Sequence, residues 1–196
     1  VLVAGMCFLG RTLAMSSRWI TRSLPTAAVE TPMGAVTLAG QSRLNRGIAR
    51  TSMRVLGSYA LVYLLAGRAE FGDDRGLRRE LVAGDAFLLF PDVAHFYEPG
   101  PSGPWDDIWL VFNGPAVDAW RQAGLLDPAE PVWHVEPVDF WRRKIAAVLT
   151  GGGSGSAAAL VEVTRLLALL AEMRAAAHGG HGPRQQPAWV RAACEQ

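Results

Sequence analysis

Two stretches hold the side chains with the greatest chemical capacity. The first, Gly84-Asp-Ala-Phe-Leu-Leu-Phe-Pro-Asp-Val-Ala-His-Phe-Tyr97, turns tightly at Gly84 and Asp85, runs into a buried strand, turns again at Pro91 and opens a new strand at His95. Side chains alternate along a strand, so His95 and Tyr97 share one face and Phe96 takes the other. The second, Pro104-Trp-Asp-Asp-Ile-Trp-Leu-Val-Phe-Asn-Gly114, puts Asp107, Trp109 and Val111 on one face and Ile108, Leu110 and Phe112 on the opposite one. No nucleophile elbow, glycine-rich phosphate loop or triad accompanies them, so the sequence gives catalysis no support. His178-Gly-Gly-His181 lies in a glycine-rich stretch without a third ligand nearby, and that spacing does not make a metal centre. No cofactor is expected. Each candidate also has a plainer reading: His95 as a satisfied core histidine, Trp105 and Trp109 as core aromatics, Arg54 as a surface charge or the structural partner of Asp85 or Asp107.

The elements that would position these groups are short strands divided by Gly, Pro and Asp. Tyr59–Ala66, Arg68–Phe71, Leu77–Val82, Ala86–Phe90, Ala94–Tyr97 and Asp107–Asn113 fit strand lengths, with an earlier candidate at Ala35–Ala39. Asp73-Asp74-Arg75-Gly76 reads as a hairpin turn. Strands spaced so closely favour a small sandwich or barrel. Tyr59–Ala66 is apolar on both faces, so one should line the interior and the other should lie under helices. Helices are expected at Pro115–Ala123, Phe140–Leu149 and Leu160–Ala177. A glycine-rich loop, Thr150–Ser156, precedes the last, and a polar linker, His178–Pro187, follows it. Ala188–Gln196 then begins a helical pattern that stops, and a further domain is expected beyond it.

Composition narrows the class. At 196 residues with half of them apolar and 19% charged, the chain is globular rather than disordered. Nineteen Lys and Arg against 18 Asp and Glu leave a formal charge of +1, which offers little to DNA phosphates. Cys7 and Cys194 form no disulfide framework, so a reducing cytoplasm is the expected compartment. The apolar start, Val1–Gly10, is too short to span a membrane.

Gly84–Tyr97 resembles the second cupin motif in the form used by AraC-type transcription regulators. Trp105–Gly114 is similar to that family's Trp-Asp-x-x-Trp-x-x-Phe-x-Gly stretch, and Arg54-Val-Leu-Gly57 followed by Tyr59–Gly67 resembles its Arg-x-x-Gly and first barrel strand. The resemblance covers about residues 35 to 177. It implies a fold that is mainly β with C-terminal helices: a cupin-like, jelly-roll barrel receiving a small effector under an N-terminal arm, then two to three helices forming a dimerisation element. It implies effector contacts at Arg54, His95, Tyr97, Asp107 and Trp109. The chemistry suits a sugar, because an indole stacks on C–H groups while Arg and Asp hold hydroxyls. Metal-dependent cupin enzymes carry a His-x-His and a Glu in their first motif; Tyr59–Gly67 has no histidine, which disfavours an isomerase or dioxygenase.

The last helix has a second reading. Ala159, Val163, Leu166, Leu170, Met173 and Ala177 follow coiled-coil spacing, and the resemblance implies a homodimer there, through Val163, Leu166, Leu170 and Met173. The bland alternative is one broad face packed on the barrel. The expected organisation is an arm over 1–34, an effector-binding and dimerisation domain over 35–177, and over 178–196 a linker with the start of a DNA-reading domain. DNA would be bound only through that absent domain, with no membrane partner. A cupin enzyme and a free-standing binding module are the alternatives.

Overall fold

The structure, a computed structural model, describes residues 20–27, 29–149 and 155–179. The sequence-read linker, His178–Pro187, lies outside them beyond Gly179, as do the helical start at Ala188 and most of the glycine-rich loop.

Nine strands run in chain order: β1 (Ile20–Ser23), β2 (Ala35–Asn45), β3 (Tyr59–Ala66), β4 (Arg68–Asp73), β5 (Arg78–Val82), β6 (Asp85–Leu89), β7 (His95–Pro99), β8 (Trp105–Asn113) and β9 (Val132–His134). Three α-helices, α1 (Pro115–Gln122), α2 (Val138–Val148) and α3 (Ser156–His178), and a short 3-10 turn at Arg50–Ser52 complete the described fold. The strands form a six-stranded sheet ordered β1-β2-β8-β3-β6-β9 and a three-stranded one ordered β5-β4-β7. Every pairing is antiparallel. The chain is thus mainly β with its helices in the C-terminal part, as the sequence led us to expect, and β9 returns to the six-stranded sheet between α1 and α2.

Alternation explains the two cores. Tyr59, Leu61 and Tyr63 of β3 join Ile108, Leu110 and Phe112 of β8 beneath α2 and α3. Ala60, Val62 and Leu64 face inward with Phe71, Leu81, Phe87 and Trp105. The outward tyrosines keep their hydroxyls satisfied in this apolar layer. Tyr59 donates to Asp118 Oδ1 on α1 at 2.8 Å, and Tyr63 to the Val135 carbonyl at 3.0 Å. Burial pushes Tyr63 up to about 12.

The four seam residues assigned to dimerisation are placed differently by the structure. Val163, Leu166, Leu170 and Met173 are each 0–1% exposed, and the last three belong to the chain's own main core. They are unavailable to a partner in this packing. A coiled-coil row and a barrel-packing row share the same spacing, so periodicity alone does not separate them. The outward face of α3 presents Leu160 and Val161, 43% and 41% exposed, followed by the smaller exposed residues Thr164 and Ala168.

One polar group is also buried under α3. Glu162 is only 4% exposed, and both carboxylate oxygens accept from the Ala27 backbone N–H at 3.0 Å. The last helix therefore holds the segment that follows β1.

Candidate functional site

Between the sheets lies a cavity of about 490 Å³, within the usual size for a small-molecule site. Thr21 comes from β1; Leu38, Ser42 and Asn45 from β2; Ala60 and Val62 from β3; Leu89 from β6; Tyr97 from β7; and Asp107, Trp109 and Val111 from β8. Gly47, Ile48, Arg54 and Leu56 complete the wall from the β2–β3 connection.

Trp109 is set by what lies beneath it. It pairs with Gly40 across β2 and β8, and a Cβ at Gly40 would come within 2.4 Å of the indole Cζ2. The missing side chain lets the ring lie against the neighbouring strand. The indole N–H donates to Ser42 Oγ at 3.2 Å, fixing the ring's edge.

Asp107 is fully buried and makes two short bonds through one oxygen. Oδ2 accepts from Asn45 Nδ2 at 2.6 Å and from Trp105 Nε1 at 2.7 Å. Oδ1 is buried with no hydrogen-bond partner among the described residues. Burial raises the carboxyl above its usual range, opposed by the hydrogen bonds from Asn45 and Trp105 and more weakly by nearby Ser42. A bulge in β2 between Ser42 and Asn45, with Leu44 at φ 55°, brings Asn45 to this carboxylate. Trp105, 1% exposed, is a core residue whose polar edge holds Asp107.

Arg54 lies at the mouth. Its backbone pairs with His95 in both directions, at 3.1 and 3.0 Å, and its Nη2 lies 3.5 Å from the Tyr97 hydroxyl. It makes no ion pair among the described residues. Asp85, one of its suggested structural partners, is instead bonded to His134 Nδ1 at 2.7 Å and to the Val82 N–H at 2.7 Å.

His95 departs from expectation. It shares a face with Tyr97 as alternation required, and the rings stack at 6.0 Å with planes 6° apart. Yet it lies outside the cavity lining. It is 1% exposed beside a small gap of about 10 Å³ shared with Phe71, Asp73 and Val93. Nδ1 faces the Val93 carbonyl at 3.2 Å, while Nε2 has no partner among the described residues. Burial, with the Arg54 charge as a smaller cause, lowers its pKa, and the Val93 carbonyl opposes the shift. Here His95 is a core residue backing Tyr97. Alternation gives the face of a residue but not its depth.

Arg54, Tyr97, Asp107 and Trp109 do meet in one space, which can hold a ligand through charge, hydroxyl and indole contacts. Sequence reasoning missed Thr21, Ser42 and Asn45. The last two sit in Gly40–Asn45, where the polar residues hide any apolar alternation.

Residues 47–186 match the model of the AraC-like ligand binding domain family. Over 87 residues, 44% of the chain, the sequence is 29% identical to the Msm operon regulatory protein of Streptococcus mutans serotype c, strain ATCC 700610 / UA159. That match takes in 31% of the relative's length. Among solved structures, YhaK from Escherichia coli is 20% identical with a TM-score of 0.39, covering 50% of this chain and 46% of that one. A Cupin 2 conserved barrel domain protein from Salinispora arenicola CNS-205 is 19% identical with a TM-score of 0.38, covering 62% of this chain and 99% of that one.

Proposed function

Because the chain belongs to the AraC-like ligand binding domain family, we propose that it is the effector-sensing and dimerising part of a cytoplasmic transcription regulator, and that it binds rather than transforms its ligand. The observation that carries this is the cavity, where Arg54, Tyr97, Asp107 and Trp109 converge from separate stretches around a buried oxygen without a partner. The match to an operon regulatory protein supports the same reading. DNA contact falls to another domain, since a net charge of +1 offers little to phosphates. The homodimer uses the outward face of α3, through Leu160 and Val161, rather than the buried row.

The test is a titration of the chain with a broad library of sugars, organic acids and amines, read by tryptophan emission. We expect one class to change the emission saturably and Trp109→Phe to remove most of that change. A response that Trp109→Phe leaves intact moves the effector out of this cavity. For the dimer, sedimentation should show Val161→Glu shifting the chain to a folded monomer. A Val161→Glu protein still dimeric places the interface elsewhere.

A further inference from the structure

We propose that the cavity is built for an amphipathic organic acid with one distal hydrogen-bond donor, not for a polyhydroxylated sugar. The proposal rests on the effector-sensing reading above. Its basis is an account of spare hydrogen-bonding capacity. A buried polar group without a partner is costly, so a ligand's polar groups must match those the cavity has left.

Most of the polar lining is already engaged. Asn45 donates to Asp107 at 2.6 Å through Nδ2 and accepts from the Gly47 N–H at 2.8 Å through Oδ1. The Ser42 hydroxyl meets the Trp109 indole N–H and the Thr21 hydroxyl, each at 3.2 Å. An indole has a single donor, so Trp109 offers the ligand only its face. Apart from the remaining sites of the Thr21 and Ser42 hydroxyls, three groups remain: the Arg54 guanidinium, the Tyr97 hydroxyl 3.5 Å from it, and Asp107 Oδ1.

Each of the three selects a feature of the ligand. A guanidinium beside a phenolic hydroxyl suits one carboxylate, bound by charge-assisted hydrogen bonds. The free carboxylate oxygen accepts, so it calls for a hydroxyl or an ammonium. Between them Leu38, Ile48, Leu56, Val62, Leu89 and Val111 line the wall with aliphatic carbon, which suits a carbon ring or chain. A sugar carries hydroxyls on nearly every carbon, and most would be buried against those side chains unmet.

The experiment is calorimetric titration of the whole chain with para-hydroxyphenylacetate as probe. Single-group relatives accompany it: phenylacetate without the donor, para-methoxyphenylacetate with an acceptor in its place, and the para-hydroxyphenyl acetamide without the charge. Glucose and arabinose are the polyol arm. We expect the hydroxy acid to bind best, with loss of either polar end weakening it about tenfold or more. Arg54→Gln, at an exposed position, should erase the preference for acid over amide. Asp107→Asn keeps an oxygen for Asn45 and Trp105 and turns the free corner into an N–H donor. It should therefore reverse the preference between hydroxy and methoxy acids. Saturable sugar binding that alters Trp109 emission, with no acid binding, overturns the ligand class and leaves effector sensing in place. A bound acid whose preferences survive both variants overturns the assignment of its polar ends. If no acid registers by heat, emission or thermal midpoint, this proposal falls; if no member of the broader library of sugars, acids and amines registers either, the reading beneath it falls as well.

Discussion

On β8, Ile108, Leu110 and Phe112 face the helices, while Asp107, Trp109 and Val111 face the cavity. The helix side is closed: its three residues are at most 2% exposed, and Phe112 stacks on Tyr59 with ring planes 8° apart. The cavity side is open: Trp109 and Val111 remain partly exposed, and Asp107 keeps an oxygen unspent. One backbone carries both faces, yet they serve different ends. Tight packing on one side supplies the stability that lets the other hold polar groups in reserve.

The largest expected effect breaks the closed side. Phe112→Ala should cost about 3–5 kcal/mol in urea denaturation, as large aromatic truncations in cores do. A loss of under about 1 kcal/mol would show that the helix side is not tightly packed. Gly40→Ala comes next, because its Cβ would meet the Trp109 ring at 2.4 Å. We expect about 1–3 kcal/mol of strain and a changed tryptophan emission spectrum. An unaltered spectrum with full stability would mean that the ring is not held against that strand.

The third prediction concerns pH. His95 has a folded-state pKa below its ordinary 6.5, so in the window beneath 6.5 the unfolded chain takes up a proton that the folded chain resists. Its contribution is fully present above that value and is lost as pH falls through 6.5 toward the lowered folded value. Denaturation midpoints should drop between about pH 7 and about pH 5, and His95→Gln should flatten that slope; an unchanged slope assigns it to other groups. The smallest effect sharpens the open side. Val111→Ala should cost about 1 kcal/mol of stability or less, since the residue is only partly buried. It should nevertheless weaken effector binding measurably. Equal losses from Val111→Ala and Leu110→Ala would erase the distinction between the faces.

The sheet was most legible where burial was double-sided. Tyr59–Ala66 emerged with the bounds read from the sequence, because apolar residues on both faces leave few other solutions. Asp107–Asn113 lay within the observed β8. β2 was read only to Ala39, although it runs to Asn45. Its second half faces the cavity with Ser42 and Asn45, and so lacks the apolar rhythm that marks a packed strand. β1 and β9, of four and three residues, are too short for periodicity to register. Of the site, the resemblance gave four cavity-lining residues, and the structure set His95 one layer back. The heptad row of α3 was legible as a buried stripe, but spacing does not say whose surface buries it.

The bond between Glu162 and the Ala27 N–H joins positions 135 apart in sequence. It makes the beginning of the described chain a guarantor of its last helix. Trimming the protein to start at β2 would remove an amide and leave a buried carboxylate without it, at a cost of about 1–3 kcal/mol or more. Damage at one end should therefore be felt at the other. A protease cut in the segment between β1 and β2 should speed amide exchange in α3 before it loosens the barrel.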